Sequence, residues 1–230
     1  MKALFPHIAS FLIGSVSAYS ATIFAPGDTV FGGRSDGTSF LVGAAGTDGG
    51  ATVYTDNVWP AAESPDHIID GVGQKYLNFA ELNSGVIITP NFNGGLGSLA
   101  DSLKLWTAND AVGRDPATYE LYGTNAPISG AGPFALNTFT LISSGALALP
   151  ATRNTGGTAV LNDLNAQTVT FTPTQPYKSY MILFPTIKDE PTVNSMQVAE
   201  VQVFGTAVPE PSGCALLAVG ALVGAVRRRR

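Results

Sequence analysis

LKLWTANDAVGRDPATYELYGTN, running from Leu103 to Asn125, is the stretch that decides the fold. Apolar and polar residues alternate through Leu103–Trp106 and again through Tyr119–Tyr122, on either side of a turn-forming insert that ends in Asp115-Pro116. A period of two belongs to a strand with one face on a core. It places Leu103, Leu105, Tyr119 and Leu121 inward, and Lys104 and Glu120 toward solvent. Similar short runs recur outward from this pair: Gly85–Thr89, Phe139–Ile142, Gln167–Phe171, Ser179–Phe184 and Gln197–Gly205. Each is rich in β-branched and aromatic residues and is bounded by turn formers. No interior stretch shows sustained helical spacing with caps, and a short helix is expected only at Phe79 to Asn83. The pattern predicts an all-β chain, a β-sandwich or jelly roll.

The two ends read differently. Lys2 precedes an apolar run from Ala3 to Val16, and Val16-Ser17-Ala18 has the small-x-small form of a signal-peptidase site, with cleavage expected after Ala18 or failing that Ala21. At the other end Val208-Pro209-Glu210-Pro211-Ser212 leads into an apolar run from Cys214 to Val226. The chain then stops in Arg227, Arg228, Arg229 and Arg230. These thirteen apolar residues are short for a permanent span of ~20, which favours a transient segment with its arginines held in the cytoplasm. The Val-Pro-Glu-Pro hinge, apolar helix and Arg tail resemble the PEP-CTERM sorting signal of biofilm-forming bacteria. That resemblance implies an inner-membrane-tethered precursor, processing by an exosortase-type enzyme, and delivery to the cell surface or extracellular matrix. The organisation read from the chain is a signal peptide over 1–18, a Gly/Ala/Thr-rich lead-in over 19–57 with one strand near Thr38 to Val42, a β-sandwich over 58–206, and a sorting signal over 207–230.

Without its two ends the chain keeps seven basic and sixteen acidic residues, a net charge of −9 against −5 for the whole sequence. Such a surface repels nucleic-acid phosphates and anionic headgroups and suits divalent cations and neutral partners. The one cysteine, Cys214, lies in the sorting segment, so the exported part carries no disulfide and depends on its core. About 190 residues suffice for one such core.

Five segments in order, ESPDHIIDG (Glu63–Gly71), KYLNF (Lys75–Phe79), SGVIITP (Ser84–Pro90), Leu103–Asn125 and MQVAEVQVFG (Met196–Gly205), resemble the discoidin-type domains. These are the coagulation factor 5/8 type C and galactose-binding-like modules. The resemblance implies an eight-stranded jelly roll over about Val58 to Thr206 and two sites. One is a calcium ion where the loop before the first core strand meets the last strand, matched here by Asp70 and Glu200, with Asn78 and Asp66 as weaker additions; calcium prefers six to eight oxygen ligands. The other is a sugar-binding loop rim, for which the candidates are Trp59, Tyr76, Trp106, Asn109, Asp110, Arg114 and Asp115. Each of these also has a structural role open to it: aromatics in sandwiches are mostly core, and Arg114-Asp115 reads as a local ion pair before Pro116.

Catalysis finds little support. Between the two ends, over 19–207, there is one histidine, His67, with no cysteine and no Gly-x-Ser-x-Gly elbow. Zinc needs several His or Cys ligands. The glycine clusters at 46–50 and 94–97 lack the Lys-Ser/Thr and helix of a phosphate loop. The reading that follows is a non-enzymatic surface or matrix protein binding glycan or exopolysaccharide, beside two alternatives: a glycan-active hydrolase with an unidentified carboxylate pair, and a structural coat component.

Overall fold

The computed structural model describes residues 20–46 and 56–208. The expected signal peptide with Ala18, and the sorting residues Pro209, Glu210, Pro211 and Arg227 to Arg230, lie outside these. Among the described residues no helix is long and apolar enough to cross a membrane.

The chain is built of strands. In order they are β1 (Ala21–Thr22), β2 (Thr29–Ser35), β3 (Ser39–Val42), β4 (Ala44–Gly46), β5 (Val58–Pro60), β6 (Tyr76–Asn78), β7 (Ser84–Thr89), β8 (Ser98–Trp106), β9 (Thr118–Thr124), β10 (Phe134–Ala135), β11 (Thr140–Ala146), β12 (Ala166–Thr170), β13 (Ser179–Phe184), β14 (Met196–Val198) and β15 (Glu200–Ala207). Antiparallel pairing assembles a four-stranded sheet, β1-β15-β8-β12, and a seven-stranded sheet, β10-β3-β2-β7-β13-β9-β11. The all-β sandwich expected from the sequence is the fold observed, and each expected run overlaps a strand, with Gln197–Gly205 divided between β14 and β15.

The core sits between the two sheets. Leu103, Leu105, Val201 and Val203 from the smaller sheet meet Val86, Ile88, Tyr119, Leu121, Tyr180 and Ile182 from the larger one. The four residues placed inward by alternation are all buried. Their outward neighbours are only half exposed. Lys104 reaches Asp163 at 2.8 Å and lies over the Trp106 ring, 4.5 Å from its centroid, and Glu120 accepts a 2.7 Å hydrogen bond from the Tyr122 hydroxyl.

Strands β7 and β13 are apolar on both faces because the larger sheet is covered twice. Ile87, Met181 and Leu183 point away from the main core into a second cluster with Phe40 and Phe139, packed against Ile128, Phe134 and Leu136. The segment before β11 thus folds over the outer face of the sheet and buries what a simple sandwich would leave wet.

Three expectations change. The lead-in is part of the sandwich, since β2 pairs with β7 on one side and β3 on the other, and β1 pairs with β15; Ile23, Phe24 and Phe40 from it are buried. Strands from this stretch take the sheets beyond the eight strands that the resemblance implied. The helix at Phe79 to Asn83 is instead a turn, with Glu81 and Asn83 at φ of 57° and 56°. A left-handed residue interrupts a right-handed helix.

Candidate functional site

Residues 61–75 form the hub of the candidate site. Two short 3-10 turns, Ala61–Glu63 and Pro65–Ile69, follow β5 and run into the Asp70-Gly71 turn before β6. Pro65 starts the second turn and Ile68 and Ile69 anchor it in the main core. Gly32 of β2 lets it approach, because a Cβ there would fall 2.2 Å from the Pro65 side chain.

On this hub Lys75 is 8% exposed. Its ammonium donates to Asp110 at 2.7 Å and to the Gln197 side-chain oxygen at 3.3 Å, and it pairs with Glu63 at 3.3 Å. Two of the ammonium's three donors are thus engaged in hydrogen bonds, and Glu63 adds an ion pair. The group lines a cleft of about 160 Å³ with Glu63, Gln74 and Asn109, closed by the backbone of Gly73, Gly156 and Gly157. Asn109 is exposed at its edge. The closure needs glycine: Gly156 has φ of 83°, and a Cβ on it would lie 2.8 Å from the Asn109 amide. Partial burial pushes the Asp110 carboxyl upward, but the Lys75 hydrogen bond and charge, with help from Gln197 and Arg114, hold it below the usual carboxylate range. The cleft therefore presents the Glu63 carboxyl group and the side-chain amides of Gln74 and Asn109, with Asp110 bonded to Lys75 beside it.

A second group joins the same hub to the last strand. Glu200, 2% exposed, accepts from the Gly71 amide at 3.1 Å and from Gln202 at 3.4 Å. Asp70 caps Val72 N at 2.9 Å and lies 3.0 Å from His67 Nδ1. Burial pushes the Glu200 carboxyl up to about 8, and the nearby Asp70 charge adds to the rise against the Gly71 and Gln202 hydrogen bonds. Asp70 and Glu200, 130 positions apart in the chain, are brought to one turn, where Glu200 accepts from Gly71 N next to Asp70. Asn78 and Asp66 do not join them. The Asn78 amide donates to Gly33 O and to the Tyr76 hydroxyl inside the core, and Asp66 accepts from the Ser64 hydroxyl. No group of three or more His, Cys, Asp or Glu side chains is gathered for a metal among the described residues.

The expected aromatic rim does not form. Tyr76 is fully buried and Trp59, packed edge-on against it at 6.0 Å, is nearly so. Trp106 lies beneath Lys104. Of the polar candidates, Asn109 lines the Lys75 cleft and Asp110 accepts from the Lys75 ammonium. Arg114 turns away and donates to Asn194 at 3.1 Å. Asp115 is no partner of Arg114: fully buried, it accepts two 2.7 Å hydrogen bonds from Arg153 and one of 2.9 Å from Lys188. This is a structural brace tying the start of β9 to two distant loops. Lys75 and Glu63 were missed in the sequence; a lysine beside the apolar Tyr-Leu pair of a strand was their only local signal.

No protein-family model matches the chain, and no curated protein matches it. Solved structures with a similar architecture include the family 32 carbohydrate-binding module from C. perfringens NanJ in complex with galactose, at 12% identity and TM-score 0.47, covering 81% of this chain and 99% of that one. A Clostridium perfringens module in complex with GalNAc-β-1,3-galactose is similar at 12% identity and TM-score 0.48, covering 80% and 100%. The family 32 module from Streptococcus pneumoniae EndoD stands at 12% identity and TM-score 0.47, covering 81% and 100%.

Proposed function

We propose that this chain is a non-enzymatic, exported surface or matrix protein whose sandwich binds carbohydrate at the Lys75 cleft. One observation carries the reading: the buried Lys75 ammonium draws Glu63 and Asp110 to a cleft where Asn109 and Gln74 make no hydrogen bond among the described residues. Sugar hydroxyls donate and accept, so they match acceptors and amides held in place by a rigid scaffold. Little ordering is left to occur on binding, which favours affinity from a small contact.

The non-enzymatic part is supported by composition: over 19–207 the chain has one histidine, no cysteine and no Gly-x-Ser-x-Gly elbow. Export through a signal peptidase and an exosortase-type system is supported by the two chain ends alone. Calcium belongs to the proposal through Asp70 and Glu200, which would hold it; a bound cation would neutralise the carboxylates and tie the 70–72 turn to β15.

A glycan array probed with the purified protein, with reducing-end release measured in parallel, tests the reading. The expected result is binding without turnover, lost in Asp110→Asn. Sugar release abolished by one carboxylate substitution would overturn it, and so would an empty array with the protein co-fractionating with matrix.

A further inference from the structure

Strand β11 ends the larger sheet and pairs only with β9. Its other edge is a row of peptide groups with no strand partner among the described residues. Thr140, Leu141, Ser144, Gly145 and Ala146 are exposed, Leu141 to 50%. Soluble proteins guard such an edge with lysines, prolines, bulges or very short strands. β11 is seven residues long and has neither a charge nor a proline. The uncharged sequence around it extends from Leu121 to Thr152, the longest such run in the chain. One guard is present, a β-bulge between Leu141 and Ser143; beyond it the ladder with β9 is regular through Ser143-Ser144-Gly145-Ala146.

Charge decides what fits this edge. Over 19–207 the net charge is −9, and like charge holds two copies apart wherever carboxylates face outward. β11 lacks that repulsion, and so does the flank beside it. Ala148, two residues past β11, donates to the Gln167 side chain at 2.6 Å, and β12, the open edge of the smaller sheet, is uncharged as well. We propose that β11 pairs antiparallel with β11 of a second copy, joining the two larger sheets across a two-fold axis at Ser144. Ser144 then faces its own copy and Ser143 faces Gly145, so only small side chains meet across the new ladder. The pairing closes on itself. It consumes the β11 edge of both copies, and the far edge of the sheet, β10, has two residues, too few to extend the sheet into a fibre. None of this rests on the carbohydrate-binding reading.

Sedimentation velocity of the purified full chain across a wide concentration range tests this, with circular dichroism melts to establish that each variant folds. Wild type should pass from monomer to dimer. Ser144→Glu sets like charge against its own copy and beside Glu120, which lies opposite Ser144 on β9, and should weaken the dimer about fivefold. Ser144→Lys, which Glu120 accommodates in the monomer, should weaken it similarly and serves where the glutamate variant does not fold. A mixture of the two variants should regain wild-type affinity, whereas Thr168→Glu, the same charge placed on β12, should leave the dimer unchanged. A monomer at every concentration would overturn the proposal. So would association unchanged in the folded Ser144 variants, which assigns it to another surface or to the apolar chain end. Loss in Thr168→Glu alone would move the interface to β12 and refute pairing through β11.

Discussion

Replacing Glu200 by glutamine should make this protein more stable at alkaline pH, contrary to the usual effect of removing a native hydrogen-bonding group. The folded-state carboxyl sits at about 8 against an ordinary 4.5, raised first by burial and then by Asp70. The folded protein therefore binds this proton more tightly than the unfolded chain. Stability from the group is complete below pH 4.5, falls as pH rises, and is exhausted by pH 8. That displacement corresponds to a ceiling of about 5 kcal/mol, and relaxation of the site leaves roughly 2 to 4 kcal/mol to be measured. Urea unfolding at pH 5, 6.5 and 8 reads it directly, because glutamine keeps the shape and loses the titration. With calcium chelated, wild type should lose stability across this range while Glu200→Gln stays nearly level and overtakes it at pH 8. The difference between the two profiles isolates Glu200 from every group the two proteins share. Millimolar calcium at pH 8 should restore wild type and leave the variant unchanged. Parallel profiles for the two proteins would refute the reasoning, and a calcium response equal in both would remove the cation from Asp70 and Glu200.

Asp115→Ala should cost about 3 to 5 kcal/mol in chemical denaturation, because it leaves Arg153 and Lys188 without their buried partner. A cost below 1 kcal/mol would show that the brace is dispensable. Gly32→Ala should destabilise by about 1 to 3 kcal/mol, since a Cβ 2.2 Å from the Pro65 side chain displaces the hub turn; an unchanged melting temperature would contradict this packing. Mass spectrometry of protein recovered from the cell surface should show loss of Met1–Ala18 and of the tail beyond the Val-Pro-Glu-Pro hinge. Intact full-length protein in the cytosol would exclude the proposed export.

Local pattern and tertiary context divided the problem unevenly. Alternation around Leu103–Leu105 and Tyr119–Leu121 specified which faces are buried, because a strand's period of two is written in adjacent residues. Glycine and alanine in the lead-in hid β2, whose centre, Phe31-Gly32-Gly33, packs by close backbone approach rather than by large side chains. The Asp70–Glu200 meeting was readable only through resemblance to a known domain. Trp59, Tyr76 and Trp106 looked like ligand platforms for the same reason that they are core: an aromatic ring serves both, and covering elements decide between them.

Strand character, the acidic balance and the two basic-flanked ends are properties of composition and short-range order, so the sequence alone determined them. Which carboxylates gather at the 70–72 turn, which face Lys75 and which are sealed beneath Arg153 were decided by the fold. Each of those pairings joins residues tens of positions apart, and burial is a property of what packs on top.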